Sequence, residues 1–284
     1  MLFRSQQLVQ YVGSHRNVLD ELLSGSSIAV WCMDEPYRSL GDVAATIEVD
    51  GDALVINGVK RPVCSADQAQ HLLITGRTGA GLTQVLVPRN APGVAVKPLN
   101  SIDVTRRFGE VTFTEVRVPH AALVGTIGHA DEQVARQLRV AAVILTAESV
   151  GAMQAAFDMT VEWAFDRYSF GRPLASYQAL KHRFADMKSW LEAGHAIGDA
   201  AAAAVADDFE EATELTSAAK AFVGDFGAEL GHECVQLHGG IGVTYEHDLH
   251  LYLRRIALNR TLYGTPAEHR QRLASMAEHQ EKVA

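Results

Sequence analysis

The 284-residue sequence lacks the features of several broad protein classes. Its three cysteines show no C-x-x-C spacing, which favours a reducing compartment over a disulfide scaffold. There is no basic run and the formal net charge is -9, which argues against nucleic acid or an anionic membrane surface as a partner. No uncharged apolar run reaches the roughly 20 residues of a membrane span, and the N-terminal residues lack an apolar signal core. These absences predict a cytoplasmic protein that binds neither nucleic acid nor membrane.

The first half of the sequence has the pattern of a β domain. With 48% hydrophobic residues, the chain can bury a large core and form two domains. Asp50-Gly51 and Asn57-Gly58 flank an alternating run, and each pair predicts a turn. The stretch HLLITGRTGAGLTQVLVP predicts a second hairpin, and the alternation in GEVTFTEVRVP slips after Phe113, which predicts a β-bulge. No helix-length segment separates these strands, so we expect them to be antiparallel.

The second half changes to a helical period from about Asp131. Three further helical segments follow before the last helix, which has its own start signal. In GTPAEH, Thr265 is predicted to be the N-cap, Pro266 the first helical residue and Glu268 the partner in a capping box. Long helices joined by short links predict a bundle.

These patterns together predict an α+β fold, in which an antiparallel β domain precedes a C-terminal long-helix bundle. A short helix over about residues 8–23 comes before the strands. The predicted division is an N-terminal helical segment over 1–25, a middle β domain over 26–125 and a C-terminal helical bundle domain over 126–284.

Three glycines interrupt the end of a long helix in the stretch CVQLHGGIGVTYEHD. Gly239, Gly240 and Gly242 each cost roughly 1 kcal/mol relative to alanine within a helix. Glycine here implies that another group approaches the backbone closely. A simple helix cap with a left-handed residue is the alternative explanation.

Several motifs resemble those of the acyl-CoA dehydrogenase family. DRYSFGRPLASYQALKHRFADM is similar to the family's R-x-x-F-G motif with its following Q and A-[DE]-M, and QLHGGIG is similar to its Q-x-x-G-G-x-G motif. IAVWCMDEP resembles the family's segment ending in [TS]-E-P, and INGVK its L-N-G-x-K hairpin. The resemblance implies FAD-dependent α,β-dehydrogenation of an acyl-CoA thioester. It also implies a fold whose N-terminal helical domain is truncated here to a remnant.

The resemblance also implies which residues contact the cofactor. In this family FAD lies between two subunits and meets the glycine turn of one of them. Gln236 would hydrogen-bond the cofactor, while Gly239 and Gly240 would permit close backbone approach. Arg167 and Phe170 would reach the diphosphate, Arg167 through a bidentate charged contact. A solvated surface charge is the alternative explanation for Arg167.

The family's catalytic base is missing from both of its usual positions. The family removes an α-proton with a glutamate, in most members within Y-E-G-T before the last helix, a position aligned here to Gly264. The second position, early in the first long helix, is Ala141. No catalytic residue is therefore assigned. Glu148, a lone acid in an apolar helix run, is the remaining candidate for a relocated base; a buried acid paired with a neighbour such as Arg183 is the alternative.

The segments that face the flavin ring in the family also differ. Asp34 stands where the family has a hydroxyl residue before Glu-Pro, and a carboxylate there disfavours the negative charge of reduced flavin. Pro62 and Cys64 stand where the family often has an aromatic residue and a Thr or Ser. His247 and His250 lie on one helix without a third ligand, so no metal site is expected.

These departures lead to three hypotheses. The first resembles the heterotetrameric bacterial acyl-CoA dehydrogenases, in which two different subunits share half the usual number of flavins and accept bulky, often steroid-derived, acyl groups. This chain would be the subunit without the base, contributing the adenine and diphosphate side of the FAD site. The second is a self-sufficient homomeric dehydrogenase that uses Glu148. The third is a scaffold without flavin.

Overall fold

The computed structural model describes residues 12–283, and its contacts divide the chain into two compact units. The first comprises Met1–Ser101 and Thr105–Gln137, and the second comprises Ile102–Val104 and Leu138–Ala284. The first unit holds the main sheet and the second holds the long helices, so the predicted α+β fold class is confirmed. The domain boundaries predicted from the sequence stay predictions.

The first unit contains one helix and an eight-stranded sheet. The helix α1 spans Val12–Ser24, and the predicted helical residues before position 12 lie outside the described part. The strands are β1 (Ala29–Cys32), β2 (Thr46–Asp50), β3 (Ala53–Cys64), β4 (His71–Thr78), β5 (Gly81–Pro88), β6 (Val94–Leu99), β7 (Phe108–Pro119) and β8 (Leu123–Val124). Their order is β6-β7-β3-β2-β4-β5-β8, and β1 also pairs with β4.

The strand pairs are antiparallel except at β4. β1 pairs with β4 in parallel, and β2 meets β4 in parallel at one position. The expectation that every pair would be antiparallel is therefore wrong at this strand. The connection from β1 to β4 runs through the β2–β3 hairpin, which supplies the crossover that parallel neighbours need without a helix.

The predicted bulge in β7 is present, and it explains why one predicted turn is absent. The register between β3 and β7 shifts at this point, and Glu115 has a φ of 49°. Asn57 lies opposite, and its Oδ1 accepts the backbone N–H of Glu115 at 2.8 Å. Asn57-Gly58 therefore lies inside β3 and forms no hairpin turn. The turn predicted at Asp50-Gly51 does join β2 to β3, and the predicted β4–β5 hairpin is also present.

The helices of the second unit agree with the predicted segments. They are α2 (Asp131–Asp166), α3 (Gln178–Ala206), α4 (Ala212–His238), α5 (Leu249–Thr261) and α6 (Pro266–Val283). Residues 131–137 of α2 belong to the first unit. The capping box of α6 is confirmed: the backbone N–H of Thr265 donates to Oε2 of Glu268 at 2.8 Å, and the backbone N–H of Glu268 donates to Oγ1 of Thr265 at 3.3 Å.

The core of the second unit depends on α2. Met153 and Phe157 of α2 pack in one cluster with Met187 of α3 and Leu230 of α4. An 18-residue part of α2 has a mean hydropathy of 1.5, so among the described helices α2 is long and apolar enough, by length and composition only, to cross a membrane. Of this apolar part of α2, 56% is buried inside the protein. The core helix of a soluble protein has the same length and apolar composition as a membrane span, so this is weak evidence for one.

Candidate cofactor-binding site

Arg167 and Phe170 lie in a tight hairpin directly after α2. β9 (Tyr168–Ser169) pairs with β10 (Arg172–Pro173), and the carbonyl of Arg167 accepts the N–H of Leu174 at 2.9 Å. Phe170 lies at the turn with a φ of 49°, and it is 98% exposed. Arg167 is exposed as well. The hairpin therefore presents both predicted cofactor-contacting side chains at the surface.

The glycine turn begins where α4 ends, in a 3-10 helix over Gly239–Val243. Gly239 has a φ of 66°, a conformation that costs other residues roughly 1–2 kcal/mol. A Cβ on Gly242 would lie 2.7 Å from the carbonyl oxygen of Val235 and 2.9 Å from the Cβ of His238. The chain's own fold therefore requires glycine at both positions. Gly239 does cap α4, but its ψ of −140° lies outside the left-handed helical region that the alternative explanation named.

Gly240 is different, because the described fold does not require it. A Cβ at this position would meet no atom within 4 Å, and its φ is not positive. Gln236, one turn earlier on α4, is exposed. The open space beside Gly240 can admit another molecule against the backbone, so these residues fit the diphosphate of the FAD that the resemblance implies.

A stack of rings connects the hairpin with the glycine turn. Trp163 of α2 stacks on His238, the last residue of α4, with centroids 5.5 Å apart and an interplanar angle of 18°. The Arg167 guanidinium lies over the Trp163 ring, with Cζ 5.9 Å from its centroid. His247 contacts the His238 ring at 4.6 Å between centroids. The structure therefore brings the two cofactor motifs together through side chains that the sequence analysis did not select.

Sequence spacing contained a signal for both missed residues. Trp163 precedes Arg167 by one helical turn, and His238 lies between Gln236 and Gly239 inside the glycine motif. Neither spacing shows that the rings of two separate helices meet.

The predicted positions of the base hold no carboxylate. Ala141 is completely buried in α2. In Y-E-G-T the glutamate directly precedes Gly-Thr, and the residue directly before Gly264-Thr265 is Tyr263, so the aligned position moves from Gly264 to Tyr263. Tyr263 and Gly264 both have positive φ, 53° and 101°.

Lys220 holds the turn that contains Tyr263 and Gly264. Its Nζ donates to the carbonyl oxygens of Asn259 at 2.6 Å and Gly264 at 3.0 Å. Burial, helped by the nearby Arg260, lowers the pKa of Lys220 to about 8. The lysine therefore caps the end of α5 and fixes the approach to α6.

Glu148 takes part in an ion-pair network. Its Oε1 accepts from Nη1 of Arg255 at 2.6 Å, and its Oε2 accepts from Nδ2 of Asn259 at 2.9 Å. Arg255 also pairs with Asp103. The prediction of Arg183 as the partner of Glu148 is wrong, because Arg183 instead pairs with Glu233. The structure therefore favours the alternative of a paired acid over a free base.

In the first unit, the MDEP and INGVK segments meet in a buried ion pair. Nζ of Lys60, from INGVK, donates to Oε1 of Glu35, from MDEP, at 2.7 Å and to the carbonyl of Met33 at 3.0 Å. The Glu35 carboxylate also accepts the backbone N–H groups of Ala44 and Ala45. Burial lowers the pKa of Lys60, and Glu35 opposes that shift. These motif residues are therefore needed for the fold of this unit.

The three substitutions predicted to disturb flavin-ring binding lie near this pair in sequence. Asp34 is partly buried, and its carbonyl accepts the N–H of Arg61 at 2.8 Å. Pro62 is exposed and Cys64 partly buried. Neither Asp34 nor Cys64 offers the hydroxyl of the family pattern.

The histidines considered as ligands have other contacts. Nδ1 of His247 accepts the backbone N–H of Leu249 at 3.2 Å, and His250 contacts the ring of Tyr245. In the described range 12–283, no group of three or more His, Cys, Asp or Glu residues could hold a metal ion.

Comparison with known proteins identifies the family. A family model described as "Acyl-CoA dehydrogenase, C-terminal domain" matches residues 132–277. The chain is 37% identical over 260 residues to the acyl-CoA dehydrogenase IpdE2 of Mycobacterium tuberculosis, covering 90% of this chain and 65% of that protein. It is 24% identical over 270 residues to the mitochondrial short-chain specific acyl-CoA dehydrogenase of Rattus norvegicus, covering 92% of this chain and 64% of that protein. The chain therefore spans slightly less than two thirds of the length of these curated relatives.

A solved structure shows the same fold. The acyl-CoA dehydrogenase from Geobacillus kaustophilus superposes with a TM-score of 0.88 at 21% identity, covering 95% of this chain and 75% of that one. The family model covers just over half of the sequence, and it includes both cofactor motifs. This chain therefore belongs to the acyl-CoA dehydrogenase family, an FAD-dependent family.

Proposed function

We propose that this chain is the non-catalytic subunit of an FAD-dependent acyl-CoA dehydrogenase, which introduces a double bond between the α- and β-carbons of an acyl-CoA thioester. It contributes the adenine and diphosphate side of the FAD site, and a companion subunit contributes the base. The observation that carries this proposal is a contrast within the chain. The cofactor-facing residues are retained and exposed, whereas the base positions hold Ala141 and Tyr263-Gly264.

The retained residues form a binding surface for a diphosphate. The Arg167 guanidinium can make a bidentate contact with phosphate oxygens, and the exposed Gln236 amide can donate a hydrogen bond. Gly240 leaves its backbone open to close approach, and Phe170 can cover the bound group. When bound, FAD accepts the hydride that leaves the β-carbon of the acyl group. The role of this chain is to bind and orient that cofactor.

Neither family base position offers a carboxylate to accept the α-proton. Ala141 has no group that can accept a proton, and the phenol of Tyr263 is a poor base near neutral pH, since an unperturbed tyrosine has a pKa of about 10. Both carboxylate oxygens of Glu148 accept hydrogen bonds from other side chains. A self-sufficient enzyme that uses Glu148 would have to break this network first. These contacts support a base that comes from the companion.

The flavin-ring side supports the same division of roles. A hydroxyl before Glu-Pro can donate a hydrogen bond to the flavin, whereas an ionised Asp34 can only accept one. Reduced flavin carries negative charge, and a nearby carboxylate disfavours it. We propose that the companion subunit supplies the ring-binding β domain for the shared flavin.

Exposed apolar side chains around the cofactor motifs offer a surface for the companion. Protein interfaces are enriched in aromatic residues relative to the rest of the surface. Two short segments, one at the end of α2 and one after the glycine turn, together carry five large exposed apolar side chains: Phe165, Tyr168, Phe170, Val243 and Tyr245. The proposed assembly is a heterotetramer with two copies of each subunit.

The proposed substrate is a bulky, steroid-derived acyl-CoA, and the proposed pathway is its β-oxidation in the cytoplasm. The acyl-CoA class follows from the family. The bulky acyl group rests on the resemblance to the heterotetrameric members.

A visible absorption spectrum tests the proposal. The purified chain should carry little FAD alone, and the complex with a co-expressed companion subunit should carry half as much FAD as total chains. Arg167→Ala in this chain should reduce the FAD content of the complex. Arg89→Ala, a surface change on the turn after β5, serves as the matched control and should leave it unchanged.

Two results would contradict the proposal in different ways. Full FAD occupancy and turnover by the chain alone, abolished by Glu148→Gln but not by Glu192→Gln, would establish a self-sufficient enzyme. A complex without flavin in any condition would establish a scaffold.

A further inference from the structure

The Trp163–His238 stack contains a buried histidine that the proposed function does not use. His238 is 3% exposed, and its Nδ1 lies 2.8 Å from the carbonyl oxygen of Cys234. A carbonyl can only accept, so Nδ1 carries the proton in the neutral ring. Nε2 of His238 is buried and has no hydrogen-bond partner among the described residues. This nitrogen is therefore the atom at which the ring can gain a proton.

Among the described neighbours of His238, only the Cys234 carbonyl favours a positive charge on the ring, and no carboxylate balances it. His247, in the segment before α5, contacts the His238 ring, and Arg167, directly after α2, lies over the Trp163 ring that stacks on His238. On its own helix, His238 faces the Cys234 carbonyl, and burial raises the pKa of the Cys234 thiol to about 12, so that thiol stays neutral. No carboxylate is hydrogen-bonded to His238 in the described chain.

The response to pH follows from these contacts. Burial lowers the pKa of His238 from its ordinary value of 6.5; the hydrogen bond to the Cys234 carbonyl opposes this shift, His247 adds to it, and the net direction is downward. The ring is therefore neutral near neutral pH and takes a proton from solvent only in more acidic solution. The new charge lies next to Trp163, over whose ring Arg167 is held. Arg167 is exposed and can move away from this charge, whereas the buried histidine cannot.

We propose that His238 is a positioning residue for the cofactor: its neutral ring holds Trp163, and through it Arg167, in the conformation that contacts the FAD diphosphate, and protonation at Nε2 releases Arg167. This inference rests on the proposed function. It adds an acid-sensitive control of FAD retention, which comes from Trp163 and from His238, a position that the Q-x-x-G-G-x-G motif leaves unspecified.

The first experiment measures the stack in the chain alone, without flavin. Tryptophan fluorescence is recorded against pH for the wild-type chain and for His238→Phe, which keeps an aromatic ring and removes the titration. A protonated imidazole quenches a stacked indole, so the wild type should lose fluorescence with a midpoint below 6.5. Trp31 bonds to Thr75 and Trp190 packs on Phe226, so the difference between the two proteins reports on Trp163.

The second experiment measures FAD retention by the complex against pH. The dissociation constant of FAD should rise about tenfold between about pH 7.5 and about pH 5.5, equivalent to about 1.4 kcal/mol. His238→Phe should abolish this rise of the dissociation constant in acid, called the acid limb below. His182→Gln, an exposed histidine on α3, should show the wild-type profile in both experiments. If His238→Phe does not fold, His238→Gln replaces it, since glutamine can still donate to the Cys234 carbonyl and does not titrate.

The outcomes separate this inference from the proposed function. Identical fluorescence profiles for the wild type and the His238 variant would overturn it. An unchanged acid limb in the variant complex, while Arg167→Ala still lowers FAD content, would overturn it and leave the proposed function intact. If Arg167→Ala leaves FAD content unchanged, both the proposed function and the positioning role fail.

Discussion

Alanine substitutions at two glycines of the same turn should have opposite consequences. In Gly242→Ala the new Cβ would lie 2.7 Å from the backbone oxygen of Val235, closer than the 3.0 Å below which real Cβ atoms essentially never approach another heavy atom. Val235 lies within α4, so its oxygen cannot move without distorting the helix. Overpacking of this kind costs about 1–3 kcal/mol. In Gly240→Ala the Cβ meets no atom within 4 Å, so stability should change by no more than about 0.5 kcal/mol.

Urea unfolding of the chain and FAD content of the complex are the two assays. Gly242→Ala should lower the free energy of unfolding, while Gly240→Ala should fold as the wild type does yet reduce FAD content, because the methyl group occupies the cofactor's approach. If Gly240→Ala destabilises the chain as much as Gly242→Ala does, glycine at 240 serves the fold and its assignment to the cofactor is wrong. If Gly240→Ala leaves FAD content unchanged, the assignment also fails.

Three further predictions concern stability. Lys60→Met removes the buried partner of Glu35 and leaves only the more exposed Arg38, whose Nε lies 3.6 Å from Oε2, so it should cost about 3 kcal/mol in urea unfolding. Lys60→Met with Glu35→Gln should recover part of this loss, and an equal loss in both would contradict the ion-pair argument. Burial lowers the pKa of His269 from 6.5 to about 4. The neutral His269 therefore costs the folded state no stability above pH 6.5, and the free energy of unfolding falls as the pH drops from 6.5 toward 4. At about 1.4 kcal/mol per pH unit the loss reaches about 3 kcal/mol, and His269→Gln should flatten the pH dependence of unfolding; parallel curves would refute this. Thr265→Ala should cost about 1 kcal/mol by removing the α6 cap, Thr265→Ser should restore most of it, and equal stability of all three would exclude the cap.

The elements that depend on nearby residues were predicted correctly. The capping box of α6 joins residues three apart, and the helical period of α2 repeats within each turn, so both are visible in a short window of sequence. The bulge in β7 was predicted for the same reason, since a slipped alternation lies within one strand.

Errors occurred where a distant segment decided the local structure. Asn57-Gly58 is a strong turn signal by itself, but pairing with β7 keeps it inside a strand, where Asn57 bonds across to Glu115. For Glu148 the sequence left two interpretations, a relocated base or an acid paired with a neighbour such as Arg183. Its actual partner, Arg255, lies 107 residues along the chain, and sequence separation does not show which helices meet.

The sequence by itself determined the family and which side chains stand at the family's motif positions. Both follow from which side chains exist: the motifs around Arg167 and Gly240 are present, and no carboxylate stands at position 141, 263 or 264. Only the tertiary structure decided which glycine serves the fold and which leaves room for a ligand. It also decided that Trp163 and His238 connect the two motifs, because these properties depend on distances between atoms of separate helices.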